Sequence, residues 1–391
     1  MTKAFSNINK TVLIFLLGIT TYAQTNQRKL AVVDFDALGK EKKHQSKKQH
    51  KNLIHQANKL LKKGSFSVVN KTGVPASKSK HDYFSIGPYW WPNPDTENGL
   101  PYIRKDGEIN PETRNNFTDY VEKNNFISAV KTLSKAYFFS DDVKYANKNI
   151  ELITAWFLDE NTKMNPNLNH GQSVPGRNDG RCFGIIEMGD IVEVIKFLEI
   201  AKQREMLDSK TEQAMIDWFT SYSSWLQNSK LGKEEATRKN NHAVHYDAQL
   251  LNILIYLNRI EEVKTYLSTI TKERIFSQIE PDGSQPLELA RTKSFSYSVM
   301  NLHGFLELAI LGKKVGINLW EISSKDGRSI KKAYQYMIPY LTNQKEWEYK
   351  QIKSKKYAEE KLIKDLKYIQ EEFKDGSFNY VLEEISKTNT K

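Results

Sequence analysis

One stretch of the chain joins a polar start to a long apolar pattern: Asn240-Asn-His-Ala-Val-His-Tyr-Asp-Ala-Gln-Leu-Leu-Asn-Ile-Leu-Ile-Tyr-Leu257. Its apolar residues, among them Leu250, Leu254 and Leu257, recur at three- and four-residue spacing, which predicts a helix with a buried face. The same spacing recurs near residues 51–63, 120–138, 143–158, 184–203, 210–228, 258–270, 298–312, 328–345 and 356–371. Alternation typical of strands is scarce, so we predict an all-α fold.

Three long loops interrupt the helical pattern. Proline and glycine gather at residues 85–111, 165–180 and 281–286, and long loops within a folded domain are often functional. The sequence shows neither an internal repeat nor a sustained heptad. We therefore predict an α/α barrel (toroid) of helical hairpins, with the long loops lining a cleft at one end. A compact helical bundle with decorative loops is the alternative.

The N-terminal residues are typical of a secretory signal. Lys3 and Lys10 precede an apolar stretch at residues 12–19, and Ala23 is a small residue suited to cleavage. This stretch is shorter than the ~20 residues of a membrane-spanning helix, and we expect no membrane span elsewhere. We predict a signal peptide at 1–23, a Lys-rich segment at 24–50 and a single barrel domain at 51–391. We expect a monomer, secreted or periplasmic.

The charge balance favours an anionic partner. The chain has 58 basic and 47 acidic residues, a net charge of +11. An exported basic protein can be steered towards a polyanion, such as an acidic polysaccharide, nucleic acid or anionic lipid. The basic residues form no recognised nucleic-acid motif, so we expect no nucleic acid. Much of the positive charge lies in Lys-rich runs at 40–52 and 351–356. These runs can instead be solvated helix faces that bind no partner. With one cysteine, Cys182, neither an intramolecular disulfide nor a cysteine-based metal site is available.

An aromatic motif occupies the first loop, Asp82-Tyr-Phe-Ser-Ile-Gly-Pro-Tyr-Trp-Trp-Pro-Asn-Pro-Asp95, with Gly99-Leu-Pro-Tyr-Ile-Arg104 after it. Its prolines forbid a long helix. Aromatic faces pack on pyranose rings and arginine pairs with carboxylates, so we predict that this loop binds a sugar. The predicted substrate-binding residues are Tyr83, Tyr89, Trp90, Trp91 and Arg104. The alternative, simple packing, is expected for about half of the rings.

A polar motif occupies the second loop, Asn167-Leu-Asn-His-Gly-Gln-Ser-Val-Pro-Gly-Arg-Asn-Asp-Gly-Arg181. His170, Gln172, Arg177 and Arg181 carry donors suited to carboxylates and hydroxyls, and we predict that they bind substrate. The alternative is a solvated surface loop.

The helix start at 240–246 gathers five polar or aromatic residues: Asn240, Asn241, His242, His245 and Tyr246. Either asparagine can cap the helix, and a helix N-terminus favours a negative charge such as a substrate carboxylate. His242, His245 and Tyr246 are predicted to share one face. The two histidines can instead hold a metal, but the sequence offers no obvious third ligand. We expect no metal and no cofactor.

The third loop leads into a further polar set, Pro281-Asp-Gly-Ser-Gln-Pro-Leu-Glu-Leu-Ala-Arg-Thr-Lys-Ser-Phe-Ser-Tyr297. Arg291 can bind a sugar carboxylate, Tyr297 can transfer a proton, and Glu288 is a further substrate-binding candidate. The alternative for Glu288 and Arg291 is a salt bridge with each other on one helical turn.

Taken in order, these motifs resemble the alginate lyase domain family of α/α-barrel polysaccharide lyases. The resemblance runs from about residue 60 to about 345 and rests on the motifs beginning at Tyr83, Gly99, Asn240 and Asp282, with Tyr297 after the last. It implies β-elimination of alginate, with polymannuronate as the preferred substrate. Another polyuronate such as glucuronan is the first alternative.

The resemblance also implies residue roles. Asn241 and Arg291 neutralise the uronate carboxylate, with Gln172 as a weaker candidate. His242 and Tyr297 transfer protons. Tyr297 donates to the departing glycosidic oxygen, and either residue can take the C5 proton.

Two other function classes remain open at the level of sequence. One is a non-catalytic polysaccharide-binding protein. The other is a glycoside hydrolase, which needs a carboxylate pair across the bond. The available carboxylates are Asp179, Glu187, Asp247, Asp282 and Glu288.

Overall fold

The computed structural model describes residues 30–388. The predicted signal peptide at 1–23 lies outside the described residues. Within them, none of the helices is long and apolar enough to cross a membrane.

Helices account for most of the regular structure, which confirms the all-α prediction. The α-helices are α1 Phe35–His44, α2 Lys47–Leu60, α3 Tyr120–Ser140, α4 Val143–Phe157, α5 Val192–Gln203, α6 Ser209–Asn228, α7 Lys230–Ala236, α8 Asn241–Tyr256, α9 Ile260–Tyr266, α10 Lys272–Gln278, α11 Pro286–Leu289, α12 Ser294–Val315, α13 Ile330–Leu341, α14 Lys356–Phe373 and α15 Asn379–Thr388. Short 3₁₀ segments lie at Val68–Asn70, Pro111–Arg114, Cys182–Ile191 and Gly376–Phe378, and a π-helical segment at Leu267–Thr271 joins α9 to α10.

Helix α8, formed by the stretch that begins at Asn241, lies at the centre of the fold. Of its 16 residues, 13 are buried, including Leu250, Leu251 and Leu254. It packs against α5, α6, α7, α9 and α12 and against the 3₁₀ segment Cys182–Ile191. A helix that is apolar on nearly every side is buried on nearly every side. The polar N-terminus of α8 therefore lies among the surrounding helices rather than at the outer surface of the fold.

Four short strands tie the first two long loops together. Strand β1 (Phe84–Ile86) pairs in parallel with β4 (His170–Ser173), and β2 (Trp90–Trp91) pairs antiparallel with β3 (Ile103–Arg104). The sequence pattern did not predict these strands because each has only two to four residues. Their pairing brings the aromatic loop and the polar loop side by side.

The predicted domain boundary at residue 51 is wrong, because it falls inside α2. Val32 and Val33 are buried in the core, and their backbone N–H groups donate to the two carboxylate oxygens of Glu199 over 2.9 and 2.7 Å. Residues 30–50 therefore belong to the folded unit rather than to a separate Lys-rich segment.

Candidate active site

The N-terminus of α8 holds Asn241 in a fully buried position. Its backbone N–H and its Nδ2 donate to the carboxylate of Glu288 over 2.7 to 2.9 Å. The side-chain amide is therefore committed to Glu288. The predicted role of Asn241, to neutralise a substrate carboxylate, stays a prediction.

Asn240 precedes the helix with an extended backbone, at the N-cap position, but its side chain makes no capping hydrogen bond. Its Oδ1 is buried with no partner among the described residues. The predicted cap is therefore absent as a side-chain contact.

Glu288 is buried, at 1% exposure, so the prediction that it contacts substrate is wrong. Burial raises the pKa of its carboxyl group, whereas hydrogen bonds from Asn241 and the charges of Arg291 and His242 oppose that rise. Glu288 does not form the predicted salt bridge with Arg291, which pairs with Asp106 instead. The Glu288 carboxylate is therefore held by Asn241 at the start of α8 and lies within the electrostatic influence of Arg291 and His242.

His242 is held from two sides. Its Nδ1 lies 2.6 Å from Oε1 of Glu235, a fully buried residue of α7. The ring of Phe183 meets the imidazole edge-on, at 4.8 Å between centroids. The imidazole is partly exposed, with 14% of its side-chain surface accessible. Its Nε2 has no hydrogen bond to the described residues and is not among their buried unpaired atoms. That nitrogen is free to act on a ligand.

His245 and Tyr246 are not substrate-binding residues, contrary to the prediction. The Tyr246 hydroxyl is buried and donates to the Leu226 carbonyl over 2.9 Å. Burial lowers the pKa of His245 to about 4, and its Nε2 is buried without a partner among the described residues. The His245 ring lies against α12, where a Cβ at Gly304 would be 3.3 Å from its Cε1. Residues three apart lie about 60° apart around a helix, so His245 stays on the same broad face as His242, but its ring packs against α12 at Gly304.

Arg291 is anchored by Asp106, which follows strand β3. Its Nη2 donates to Asp106 Oδ1 over 2.9 Å, and Thr292 donates to the same carboxylate through Oγ1, also over 2.9 Å. The guanidinium lies 3.8 Å from the centroid of the Tyr297 ring. Asp106 thereby fixes the charge of Arg291 directly over Tyr297.

The Tyr297 hydroxyl meets the aromatic loop. Its oxygen is 2.7 Å from that of Tyr89. Burial raises the pKa of Tyr297 well above its usual value, and Tyr89 adds to this, whereas Arg291 opposes it. Lys293 Nζ lies 5.2 Å from the Tyr89 ring centroid and 5.8 Å from that of Tyr297. The Tyr297 hydroxyl thus keeps its proton, and the side chain lies close to the positive charges of Arg291 and Lys293.

Tyr83 does not belong to the cleft. Its ring is fully buried, and its hydroxyl donates over 3.0 Å to Glu187, which also accepts from Ser85. The prediction that Tyr83 binds substrate is wrong, because its ring is fully buried and its hydroxyl is committed to Glu187.

The other residues of the aromatic loop remain accessible. Trp90 and Trp91 are half-buried and Arg104 is exposed. Arg104 donates to Asp106 over 2.6 Å, and the Trp91 indole donates to the Glu108 carbonyl over 3.1 Å. Trp90 and Trp91 are consecutive strand residues, so their rings face opposite sides of the hairpin: Trp90 lies near Arg177 and Arg181, and Trp91 near Lys105.

The polar loop meets the aromatic loop through Arg181. Its guanidinium donates to the carbonyl and Oε1 of Gln172 over 2.8 and 3.1 Å, and lies 5.4 Å from the Trp90 ring and 5.0 Å from the Phe183 ring. Burial lowers the pKa of Arg181 to about 10, which leaves it charged at neutral pH. The Arg177 guanidinium also lies near Trp90, 5.3 Å from the centroid of its ring.

Gln172 and His170 occupy different positions in that loop. Gln172 is 8% exposed, with a left-handed backbone (φ 47°), and its Oε1 is used by Arg181. His170 Nδ1 lies 3.2 Å from the Asp179 carbonyl, and its Nε2 is 3.9 Å from Asp82. His170 therefore packs within the loop, whereas the link from Trp90 through Arg181 and Phe183 leads directly to His242.

Comparison with known proteins shows which family this chain belongs to. The sequence model of the alginate lyase family matches residues 67–347. The chain belongs to the alginate lyase family. It is similar to an alginate lyase from Bacteroides ovatus, with 36% identity over 90% of this chain and 94% of that one, at a TM-score of 0.85. No curated protein sequence matches it.

Two more distant structures share the fold. Alginate lyase A1-III from Sphingomonas species A1 is 15% identical over 81% of this chain and 79% of its own, with a TM-score of 0.52. A His-to-Ala variant of alginate lyase A1-III complexed with a tetrasaccharide is 14% identical over 81% and 78%, with a TM-score of 0.53. The predicted fold class, an α/α toroid of paired helices, is confirmed for this alginate lyase family member.

Family membership makes the chain a polysaccharide lyase. The quoted sequence motifs include Asn241, His242, Arg291 and Tyr297, whose catalytic roles stay predictions, but not Glu235 and Asp106, which contact His242 and Arg291. Asp106 lies two residues after the quoted stretch that ends at Arg104, so its acidic type was visible in the sequence. Glu235 lies in a Lys-Glu run that is typical of a solvated helix, which gave no signal.

Proposed function

We propose that this polysaccharide lyase cleaves an anionic uronate polymer by β-elimination, with alginate as the substrate and polymannuronate preferred. The observation that supports this most is the placement of the Arg291 guanidinium 3.8 Å from the Tyr297 ring, whose hydroxyl is free of charge. β-Elimination needs a cation beside the uronate carboxylate and a proton donor beside the glycosidic oxygen. Arg291 offers the cation and Tyr297 the proton donor, and the two side chains are in contact.

Arg291 is the carboxylate-neutralising residue of the proposed mechanism. Asp106 occupies its Nε and Nη2, and Nη1 donates to none of the described residues. A uronate carboxylate bound there accepts charge as the C5 proton leaves. Fixed donors directed at developing charge supply the largest share of many enzymatic rate enhancements. Asn241 contributes indirectly, since its contact with Glu288 holds the start of α8.

His242 and Tyr297 divide the proton transfers. Neutral imidazole with Nδ1 directed at Glu235 presents the lone pair of Nε2, which suits the removal of the C5 proton. Tyr297 keeps its proton because burial raises its pKa, which suits donation to the departing oxygen. The assignment of base and acid that the sequence left open is therefore proposed as His242 and Tyr297 respectively.

The wall around these residues suits an anionic sugar chain. Trp90 and Trp91 offer ring faces, and Arg104, Arg177 and Arg181 offer positive charge. Rings stack on the apolar faces of pyranoses, and guanidinium groups pair with carboxylates. These five residues are proposed to bind the sugars on either side of the cleaved bond.

The carboxylates favour a lyase over a hydrolase. Glu187 is buried beneath Tyr83 and Ser85, Asp247 is buried in a salt bridge with Arg274 at 2.6 Å, and Glu288 is buried against Asn241. None of these three can reach a glycosidic bond in the cleft. Asp179 and Asp282 lie on exposed loops.

Export belongs to the proposal as well. The signal expected at residues 1–23 would carry the enzyme to a compartment where polymeric alginate is accessible. Recovery of a chain beginning at Gln24 from the periplasm or medium is the expected result, and full-length protein retained in the cytoplasm would contradict it.

The test of the activity is product chemistry. Purified protein is incubated separately with polymannuronate, polyguluronate and glucuronan, and the unsaturated uronate product is followed by its ultraviolet absorbance and by mass. We expect product from polymannuronate at the highest rate. His242→Ala and Tyr297→Phe should each abolish turnover while substrate binding persists. Saturated products would indicate a hydrolase, and binding without any product would indicate a non-catalytic protein.

A further inference from the structure

We propose that Glu235 is a positioning residue for His242: it selects the Nδ1-protonated tautomer and stabilises the imidazolium that forms when His242 takes a proton. This inference rests on the proposed role of His242 as the base and adds a residue to it. Glu235 lies outside all four sequence motifs, and its side chain has no exposed surface.

The contact between the two residues is short and shielded. Glu235 Oε1 lies 2.6 Å from His242 Nδ1, and the Glu235 side chain has no exposed surface, whereas 14% of the His242 side chain is exposed. The edge of Phe183 closes the other side of the imidazole. Nδ1 is thus occupied, and Nε2, which has no hydrogen-bond partner among the described residues, is the ring nitrogen left for a ligand.

The position of Glu235 is set by a tight helical turn. Ser229 caps α7 by accepting the N–H of Gly232 over 3.0 Å. A Cβ at Gly232 would lie 1.9 Å from the Leu226 carbonyl oxygen, so only glycine permits this approach of α7 to the end of α6. Seven residues of chain separate Glu235 from His242, and the two helices enclose the pair. Glu235 is thus carried by a short helix whose backbone packs tightly against the end of α6.

The hydrogen-bonding capacity of Glu235 fixes the tautomer of His242. An ionised carboxylate can only accept hydrogen bonds, so Nδ1 carries the proton and Nε2 carries the lone pair. When Nε2 takes the C5 proton, both ring nitrogens are protonated and the ring is a cation. A carboxylate in a shielded position at 2.6 Å stabilises that cation far more than it stabilises the neutral ring.

Stability alone gives no reason for a carboxylate here. Glu235 Oε2 is buried and has no hydrogen-bond partner in the described part of the chain. A buried unpaired oxygen costs free energy, and such groups occur where a function requires them. The other titratable groups around Glu235 are Cys182, Arg238 and Tyr246. Of these, burial raises the pKa of Cys182 to about 12, so it stays a neutral thiol.

The first measurement uses the unmodified protein and needs no turnover. Nitrogen-15 NMR of histidine-labelled protein reports which ring nitrogen carries the proton, and the His242→Ala variant identifies the His242 signals among the eight histidines. We expect the Nδ1–H tautomer for His242 at a pH where the ring is neutral. The Nε2–H tautomer would overturn the proposal, whatever the substrate of the enzyme proves to be.

The second measurement uses Glu235→Gln, Glu235→Asp and the exposed control Glu261→Gln on α9. Glu235→Gln should lower kcat about 10²- to 10⁴-fold with little change in KM, since it removes the charge without touching substrate. The acidic limb of the kcat/KM profile should move to lower pH. Glu235→Asp keeps the charge and should keep that limb near its original pH, and Glu261→Gln should match the parent enzyme.

Thermal unfolding confirms that each variant is folded before its rate is interpreted. A folded Glu235→Gln enzyme with an unchanged kcat and an unchanged pH profile would overturn the positioning role. Failure of the proposed function has a different outcome: no uronate polymer yields an unsaturated product with the parent enzyme, while the NMR result still decides the tautomer.

Discussion

The hydroxyl oxygens of Tyr89 and Tyr297 lie 2.7 Å apart, although 208 residues separate the two tyrosines in the sequence. Either oxygen can be the donor. Tyr89 comes from the aromatic loop and Tyr297 from the first turn of α12. The contact therefore joins the proposed sugar-binding surface to the proposed proton donor, and it gives Tyr297 a partner that can hold its hydroxyl in place.

Loss of each hydroxyl should affect turnover differently. Tyr297→Phe should lower kcat about 10²- to 10⁴-fold, because it removes the proposed acid. Tyr89→Phe removes one orienting hydrogen bond, worth about 1 kcal/mol, and should lower kcat roughly fivefold. Initial rates on polymannuronate measure both. Tyr357→Phe, on an α14 residue that is 79% exposed, is the matched control. If Tyr89→Phe costs as much as Tyr297→Phe, Tyr89 is the donor instead.

Gly87 gives room to the Trp90–Arg181 surface. A Cβ at this position would lie 2.5 Å from Arg181 Nη2 and 2.7 Å from Trp90 Cδ1. Gly87→Ala should therefore displace both side chains and raise KM about three- to tenfold, a loss of roughly 1 kcal/mol of binding, with a smaller effect on kcat. Gly64→Ala, where a Cβ meets nothing within 4 Å, is the control. An unchanged KM in Gly87→Ala would exclude Arg181 and Trp90 from substrate binding.

Glu288 should matter for stability as well as for turnover. Glu288→Ala leaves the backbone N–H and Nδ2 of Asn241 buried without an acceptor, and each such group costs about 1 to 3 kcal/mol. We expect the free energy of unfolding in urea to fall by about 2 to 4 kcal/mol. Glu288→Gln retains an acceptor and should lose less. Glu261→Ala, on an exposed residue, should lose little, and equal losses in all three variants would contradict the buried contact.

The central helix was predictable because its information is local. The apolar spacing of Leu250, Leu251 and Leu254 lies within one segment, and so does the polar start with Asn241 and His242. A helix with this pattern has few places to go in a globular fold other than the core. The residue types at 291 and 297 were visible for the same reason.

The partners of those residues were not predictable from local pattern. Asp106 meets Arg291 across 185 residues of sequence, and this long-range pairing replaced the local Glu288–Arg291 salt bridge that helix spacing suggested. Tyr83 and Tyr89 have the same chemical type in the same motif, yet one is buried in the core and the other faces Tyr297. Their different surroundings depend on long-range contacts, of Tyr83 with Glu187 and of Tyr89 with Tyr297, which no single motif contains.

A histidine network away from the cleft should give stability a pH dependence. His303 of α12 lies with Nδ1 2.9 Å from Asp365 Oδ1 and with Nε2 3.3 Å from Glu307 Oε1, and Tyr334 donates to the other oxygen of Asp365 over 3.1 Å. Burial alone would lower the pKa of His303, but the hydrogen bonds to Asp365 and Glu307 outweigh it and raise the pKa to about 9. The protonated ring thereby links α12 to α14.

Stability from His303 should be full below pH ~6.5, the usual histidine pKa in an unfolded chain, and should be lost as pH rises through about 9. The loss is about 3 kcal/mol at most, since each pKa unit corresponds to ~1.4 kcal/mol. Urea unfolding at several pH values between these limits measures it. His303→Gln should flatten this part of the curve, whereas His55→Gln, on an exposed residue of α2, should leave it unchanged. Parallel curves for the parent protein and His303→Gln would show that the imidazolium contributes nothing, because only a proton held more tightly in the folded state can produce the slope.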